Sequence, residues 1–452
     1  MALQKDMTVG NPGKLILEFT LPIFIGNVFQ QFYNMADTII VGKFVGTGAL
    51  AAVGSTGTIM FLILGFVMGM TAGFTVLTAQ KFGAGDMKAM RQTVGSAAIL
   101  STIMSILITI FSMAFMKPLL RFMQTPQDIF KDAYTYIMII CAGIFAQMLY
   151  NLLSSILRAL GNSKVPLYFL ILAALLNIVL DLVFIIVFKM GTAGAAWATV
   201  TAQGVSGLLC LVYIVKKVPV LHLTRDDFRL KSHLVRIQLG VGFPMALQYS
   251  ITAIGSMMVQ TSLNLLGSVQ VAAFTAAGKI EQIVTQAYVA MGTTMATYSA
   301  QNIGAGNVKR IRQGFRTVSI MGSIYSVIVG VLIVLGGKYL TCLFVSDNVE
   351  TIMQSVAIYL KCVAIFFIPL MVVNVYRTGI QGMGYGLLPM MAGVAELVGR
   401  GVVAVIAAGR RSYVGVCLAS PAAWILAGGL LLVMYFYIMK YDMKKYEHSD
   451  SE

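Results

Sequence analysis

Gln80-Lys81-Phe82-Gly83-Ala84-Gly85-Asp86-Met87-Lys88 recurs 221 residues later as Gln301-Asn302-Ile303-Gly304-Ala305-Gly306-Asn307-Val308-Lys309. Each copy closes a long apolar run. A repeat at a fixed offset is the signature of a duplicated architecture, and further matches support it. Ala51-Ala52 with Gly57 and Ile59 corresponds to Ala272-Ala273 with Gly278 and Ile280, and Gly194 to Gly415. With a shift of two residues, Asn151 and Pro166 correspond to Asn374 and Pro389. The chain therefore reads as two halves built on one plan.

Apolar runs of helical length occupy approximately residues 15–41, 50–79, 93–116, 133–157, 165–188, 192–215, 238–266, 271–300, 315–337, 355–380, 387–409 and 413–439. Each is long enough to cross a bilayer. With 58% hydrophobic and only 11% charged residues among 452, the expected fold is an all-α polytopic membrane protein of twelve transmembrane helices in two six-helix parallel repeats. An even number of spans per half orients both halves alike, and such transporters place substrate near the midplane between the halves. Most of the 32 Lys and Arg fall on one side if both termini are cytoplasmic, which the positive-inside rule favours. The expected organisation is an N-terminal lobe (1–215), a cytoplasmic linker (216–237), a C-terminal lobe (238–440) and a charged tail (441–452). The net charge of +15 is accounted for by topology and anionic lipid rather than by nucleic acid. Cys141, Cys210, Cys342, Cys362 and Cys417 show no paired spacing, and His222, His233 and His448 lie in polar segments, so neither a disulfide framework nor a zinc site is indicated. The polar first residues suggest no removable signal peptide.

Asn177-Ile178-Val179-Leu180-Asp181 lies inside the fifth run. A carboxylate at membrane depth costs roughly 2.5–3.5 kcal/mol even on lenient scales and normally marks an ion or substrate path. Asn177 and Asp181 stand one helical turn apart on one face, able to hold a proton or a small cation. In the first run Gln30, Tyr33, Asn34 and Asp37 form a second polar face, Gln147, Asn151, Ser154 and Arg158 a third in the fourth run, and Thr199, Gln203 and Ser206 a fourth in the sixth. At the repeat offset Met258 replaces Asp37, and with the same shift of two residues Arg400 replaces Asn177 and Ala404 replaces Asp181, so the halves share a frame and differ in chemistry. The second half has its own ionisable residues, Glu281 and the Glu396/Arg400 pair at i, i+4, the latter readable as a structural ion pair. Met257 and Met258, among 29 methionines, are candidates for a cavity that repacks around unlike ligands.

The two six-helix halves, the doubled Gln-x-x-Gly-Ala-Gly segment, Arg158-Ala159-Leu160-Gly161-Asn162-Ser163-Lys164-Val165-Pro166, and Asn177 to Asp181 followed by Gly194-Ala195-Ala196-Trp197-Ala198-Thr199 together resemble the multidrug and toxic compound extrusion (MATE) family over essentially the whole chain. The resemblance implies a V-shaped antiporter, not an enzyme, in the cell membrane of a bacterium, a monomer that exports organic cations or amphipathic drugs against H+ or Na+. It is nearest to the DinF-like branch, whose coupling site is matched here by Asp37, Asn177, Asp181 and Thr199. The acids on which the NorM-like branch relies in its seventh and tenth helices have no counterpart. Two carboxyls facing one apolar cavity cannot both ionise cheaply, so ion binding and substrate binding compete. The alternatives are a flippase for lipids or lipid-linked oligosaccharides, for which the cavity arginines are few, and an intramembrane aspartyl protease, whose Gly-x-Gly-Asp segment is missing before Asp181.

Overall fold

The computed structural model describes residues 6–343 and 349–443; the tail from Lys444 and the side chain of Cys342 lie outside them. All regular structure among the described residues is helical. The helices are α1 (Pro12–Phe44), α2 (Thr47–Gly83), α3 (Met87–Phe122), α4 (Gln127–Ala142 and Ile144–Ala159), α5 (Lys164–Leu182, continued by a π turn over Val183–Val187), α6 (Gly191–Lys217), α7 (Ser232–Asn264), α8 (Ser268–Gly304), α9 (Val308–Gly336), α10 (Val349–Ala364 and Phe367–Gly382), α11 (Leu387–Gly409) and α12 (Tyr413–Cys417 and Ala419–Tyr437). Eight are singly long and apolar enough to span a membrane, and α4 and α10, bent by 48° and 52°, raise this to ten. The other two, α7 and α8, run for 33 and 37 residues but are interrupted by more polar side chains. Twelve spans are consistent with this set.

The doubled motif folds the same way twice. Ala84 N–H donates to Gln80 O (2.9 Å) and Asp86 N–H to Lys81 O (3.1 Å), matched by Ala305 to Gln301 (3.0 Å) and Asn307 to Asn302 (2.8 Å). Gly85 and Gly306 take φ of 72° and 73°, a left-handed conformation that glycine adopts without a Cβ clash. The next residue then caps the following helix: the Asp86 side chain accepts from Ala89 N–H (2.9 Å) and that of Asn307 from Arg310 N–H (3.3 Å).

By packing, the chain divides into one unit built on Ile25–Tyr249 and a second built on Met7–Phe24 and the residues from Ser250 onward. Sequence halves and packing units are thus not coextensive: each half lends the beginning of its first helix to the other unit. In the second unit Thr20 Oγ1 meets Thr294 Oγ1 at 2.8 Å, and Arg310 donates to the carbonyls of Gly10 (2.9 Å) and Met7 (3.1 Å). In the first, Gln238 donates to Phe74 O (3.1 Å) and Thr93 O (2.9 Å) and accepts from Ser96 Oγ (2.7 Å). A Cβ on Gly73 would stand 2.3 Å from Gly242 Cα, so α2 and α7 touch through bare backbone, as small residues allow between membrane helices. Both shared helices contain an internal proline, Pro22 and Pro244, which removes an i→i−4 hydrogen bond shortly before the chain passes from one unit to the other.

Candidate functional site

Asn177 and Asp181 occupy the buried face of α5, 1% and 0% exposed, and Thr199 of α6 is 9% exposed. Their approach depends on the small residues that open α6: a Cβ on Gly194 would lie 3.2 Å from the carbonyl carbon of Phe184, and Ala195, Ala196 and Ala198 are fully buried beside it. Two residues after Asp181 the helix loosens into its π turn, with Phe188 N–H reaching back to Val183 O at 3.0 Å, a local irregularity common at functional sites.

The side chains of α5 and α6 form one network. In the orientation that gives both amide atoms complementary partners, Asn177 Nδ2 donates to Asp181 Oδ2 at 2.9 Å, while its oxygen accepts from the Thr199 N–H (3.0 Å) and hydroxyl (3.2 Å). The same hydroxyl stands 3.1 Å from Ala195 O, so its single proton is shared between two acceptors. From α1, Tyr33 reaches Thr199 with its hydroxyl, and the carboxyl of Asp37 meets that of Asp181 at hydrogen-bonding range. Oδ1 of Asp37 and Oδ1 of Asp181 are buried without a partner. Two adjacent carboxyls with orphaned oxygens form a strongly acceptor-rich site; a proton between them or a cation bound by both would satisfy it.

The structure thus brings together Asp37, Asn177, Asp181, Thr199 and Tyr33. Tyr136 of α4, buried and within electrostatic reach of both acids, belongs beside them; it was indistinguishable in the sequence from any aromatic of an apolar run. The other predicted positions are not drawn into this network. Gln30 is half-buried and Asn34 exposed, Gln147 is buried, and Asn151 donates locally to Gln147 O (2.8 Å). Gln203 keeps a buried Oε1 without a partner.

In the second unit the Glu396/Arg400 pair forms as its spacing implies, with a third member. Glu396 Oε1 accepts from Arg400 Nη2 and Oε2 from Arg377 Nη2, each at 2.6 Å. Both carboxylate oxygens are thereby committed to arginine, as a structural triad requires. Glu281 accepts a hydrogen bond from Tyr359. Met257 is exposed, and Met258 packs its methyl group against the position where a Gly401 Cβ would stand.

The MatE family profile matches residues 22–183 and 243–406, which is most of both halves. The chain is 35% identical over 380 residues to a probable multidrug resistance protein, YpnP, of Bacillus subtilis, covering 83% of each chain. It is 25% identical over 391 residues to a probable multidrug resistance protein, NorM, of Thermotoga maritima, covering 84% of this chain and 82% of that one. A FAD transporter of Shewanella oneidensis is 23% identical over 430 residues, 92% of each. Among solved structures, a MATE in complex with MaL6 superposes with a TM-score of 0.89 at 23% identity, covering 98% of this chain and 99% of that one. An outward-facing multidrug resistance MATE transporter of the MOP superfamily gives a TM-score of 0.90 at 24% identity, covering 98% of each. With a duplicated twelve-helix frame, a family profile matching both halves and a 35% identical relative, the chain belongs to the MatE family of multi-pass membrane transporters and is not an enzyme.

Proposed function

We propose that this protein is a secondary multidrug exporter of the DinF-like kind, exchanging organic cations or other amphipathic drug-like compounds for H+ or Na+, with both termini in the cytoplasm. The observation that carries this reading is the contact between the Asp37 and Asp181 carboxyls, each with an orphaned buried oxygen. A proton serves as a shared donor there. Na+ would draw on the same oxygens and, once the Asn177 amide turns its oxygen from Thr199 toward them, on that oxygen and the Thr199 hydroxyl, hard ligands that suit it.

Exchange follows from charge. With no ion bound, the two acids repel and present negative charge to a cationic substrate; with an ion bound, they close on each other and the attraction is lost. Because Asp37 rides on α1 and Asp181 on α5, occupancy changes how tightly α1 is held, and Pro22 supplies the point at which α1 yields. A membrane potential of 100 mV moves one charge with about 2.3 kcal/mol, enough to concentrate a neutral substrate roughly fifty-fold per ion. A monovalent cation exchanged for one H+ gains nothing from the potential. The flippase alternative is weakened because Arg377 and Arg400 are tied to Glu396 rather than presented to a pyrophosphate.

The test is efflux of a fluorescent organic cation from reconstituted vesicles, with a pH gradient and a Na+ gradient imposed separately, for wild type and Asp181→Asn. Movement under one gradient that the substitution abolishes supports the reading and identifies the ion. Full activity of Asp181→Asn would overturn the coupling site, and movement under neither gradient would overturn antiport.

A further inference from the structure

The first unit carries a second feature, on a different face from the carboxyl site. A cavity of about 680 Å³ runs between α3, α4 and α6 where they approach the linker, within the size range of ligand sites. Its walls are apolar, formed by Ala98 of α3, Leu149 and Leu152 of α4 and Leu211 of α6. It is open at the side, where Phe145, next to the bend in α4, and Val215 are 52% and 57% exposed.

Its floor is fixed. The linker segment Arg225–Phe228 is held by a capping box between Thr224 and Asp227, Arg91 stands 3.9 Å from Asp227, and a Cβ on Gly95 would lie 2.2 Å from Asp227 O. Linker backbone therefore lies directly on α3, and Leu221 and Phe228 seal the end of the groove.

Two polar features indicate an occupant. Ser101, 2% exposed, lines the groove with a buried hydroxyl that has no partner, an unmet donor in an apolar wall. Lys216 and Lys217, which follow the lining residue Val215 at the end of α6, are exposed with no acidic partner among the described residues, and His222, itself part of the lining, has Nε2 2.9 Å from Val215 O. The nearby acids are already engaged, Asp227 facing Arg91 at 3.9 Å and Asp226 facing Arg229 at 3.2 Å.

We propose that this groove is a site for one anionic phospholipid, with its acyl chains along the apolar wall, an ester carbonyl accepting from Ser101 Oγ, and its phosphate at Lys216, Lys217 and His222. Basic clusters beside membrane helices attract such headgroups. The lipid joins α3, α4, α6 and the linker, and its site is separate from the Asp37–Asp181 pair.

Native mass spectrometry of the delipidated protein titrated with phosphatidylglycerol or phosphatidylcholine tests this. Wild type is expected to retain one phosphatidylglycerol with about tenfold preference over phosphatidylcholine. Ala98→Trp, which fills the groove, is expected to lose that retention. Lys216→Glu with Lys217→Glu, at exposed positions that leave folding intact, is expected to lose the preference while still taking up phosphatidylcholine. Equal retention of both lipids by wild type, or unchanged preference in the double variant, overturns the proposal. So does displacement of the lipid by ethidium with loss of ethidium binding in Ala98→Trp, which would make the groove a cargo site.

Discussion

Asp181 and Glu396 are both buried carboxylates at membrane depth, and their surroundings predict opposite outcomes for the same Asp/Glu to amide change. Asp181→Asn removes one member of a like-charge contact and puts an amide donor beside Asp37, so thermal unfolding in detergent is expected at or above the wild-type temperature even as exchange is lost. Glu396→Gln removes the carboxylate that is bonded to both Arg377 and Arg400 at 2.6 Å; breaking such a pair costs about 3–5 kcal/mol, seen as a large drop in unfolding temperature. A destabilised Asp181→Asn would mean that its carboxylate is structural. The sequence exposed Asp181 because a charge in an apolar run with no opposite charge on its own face is costly, and it exposed Glu396 with Arg400 through helical spacing. Tyr136, and the pairing of Arg377 with Glu396, stayed hidden: they come from other helices, and no periodicity along one segment reports a partner across a helix interface.

At the scale of the element, the bare contact between α2 and α7 makes a sharp comparison possible within one helix. Gly73→Ala places a Cβ 2.3 Å from Gly242 Cα, an overpacking expected to cost about 1–3 kcal/mol. Gly57→Ala meets nothing within 4 Å and should gain up to about 1 kcal/mol from helix propensity. Unfolding temperatures of the two variants in the same detergent should therefore move in opposite directions. Span positions were legible from apolar length, and all twelve expected runs fall on helices. The bends in α4 and α10 were not, because Gly143 sits in an unbroken apolar run, and its role, a position where a Cβ would meet Val200 at 2.3 Å, belongs to packing rather than to sequence pattern.

For the whole molecule, the basic linker predicts orientation: a fluorescent protein fused after Glu452 should mature and glow inside a bacterial host, and a dark fusion with an active exporter would invert the topology. Pro22→Ala restores the missing backbone donor in α1, so substrate binding should persist while exchange slows, measured as turnover against affinity in vesicles; an unchanged turnover would remove α1 bending from the mechanism. The lending of helix beginnings between the units was illegible, because nothing in residues 7–24 names a partner in the other half of the chain. That exchange has a consequence for biosynthesis. The first unit includes Gln238, whose amide bonds to Phe74 and Thr93, so a nascent chain cannot complete it until the ribosome has passed the linker and begun α7. The segment around Thr20 waits longer still, for Thr294 to emerge. A gene cut at the linker would yield two fragments that each keep a piece belonging to the other, so neither should mature alone and both should be rescued by synthesis in the same cell.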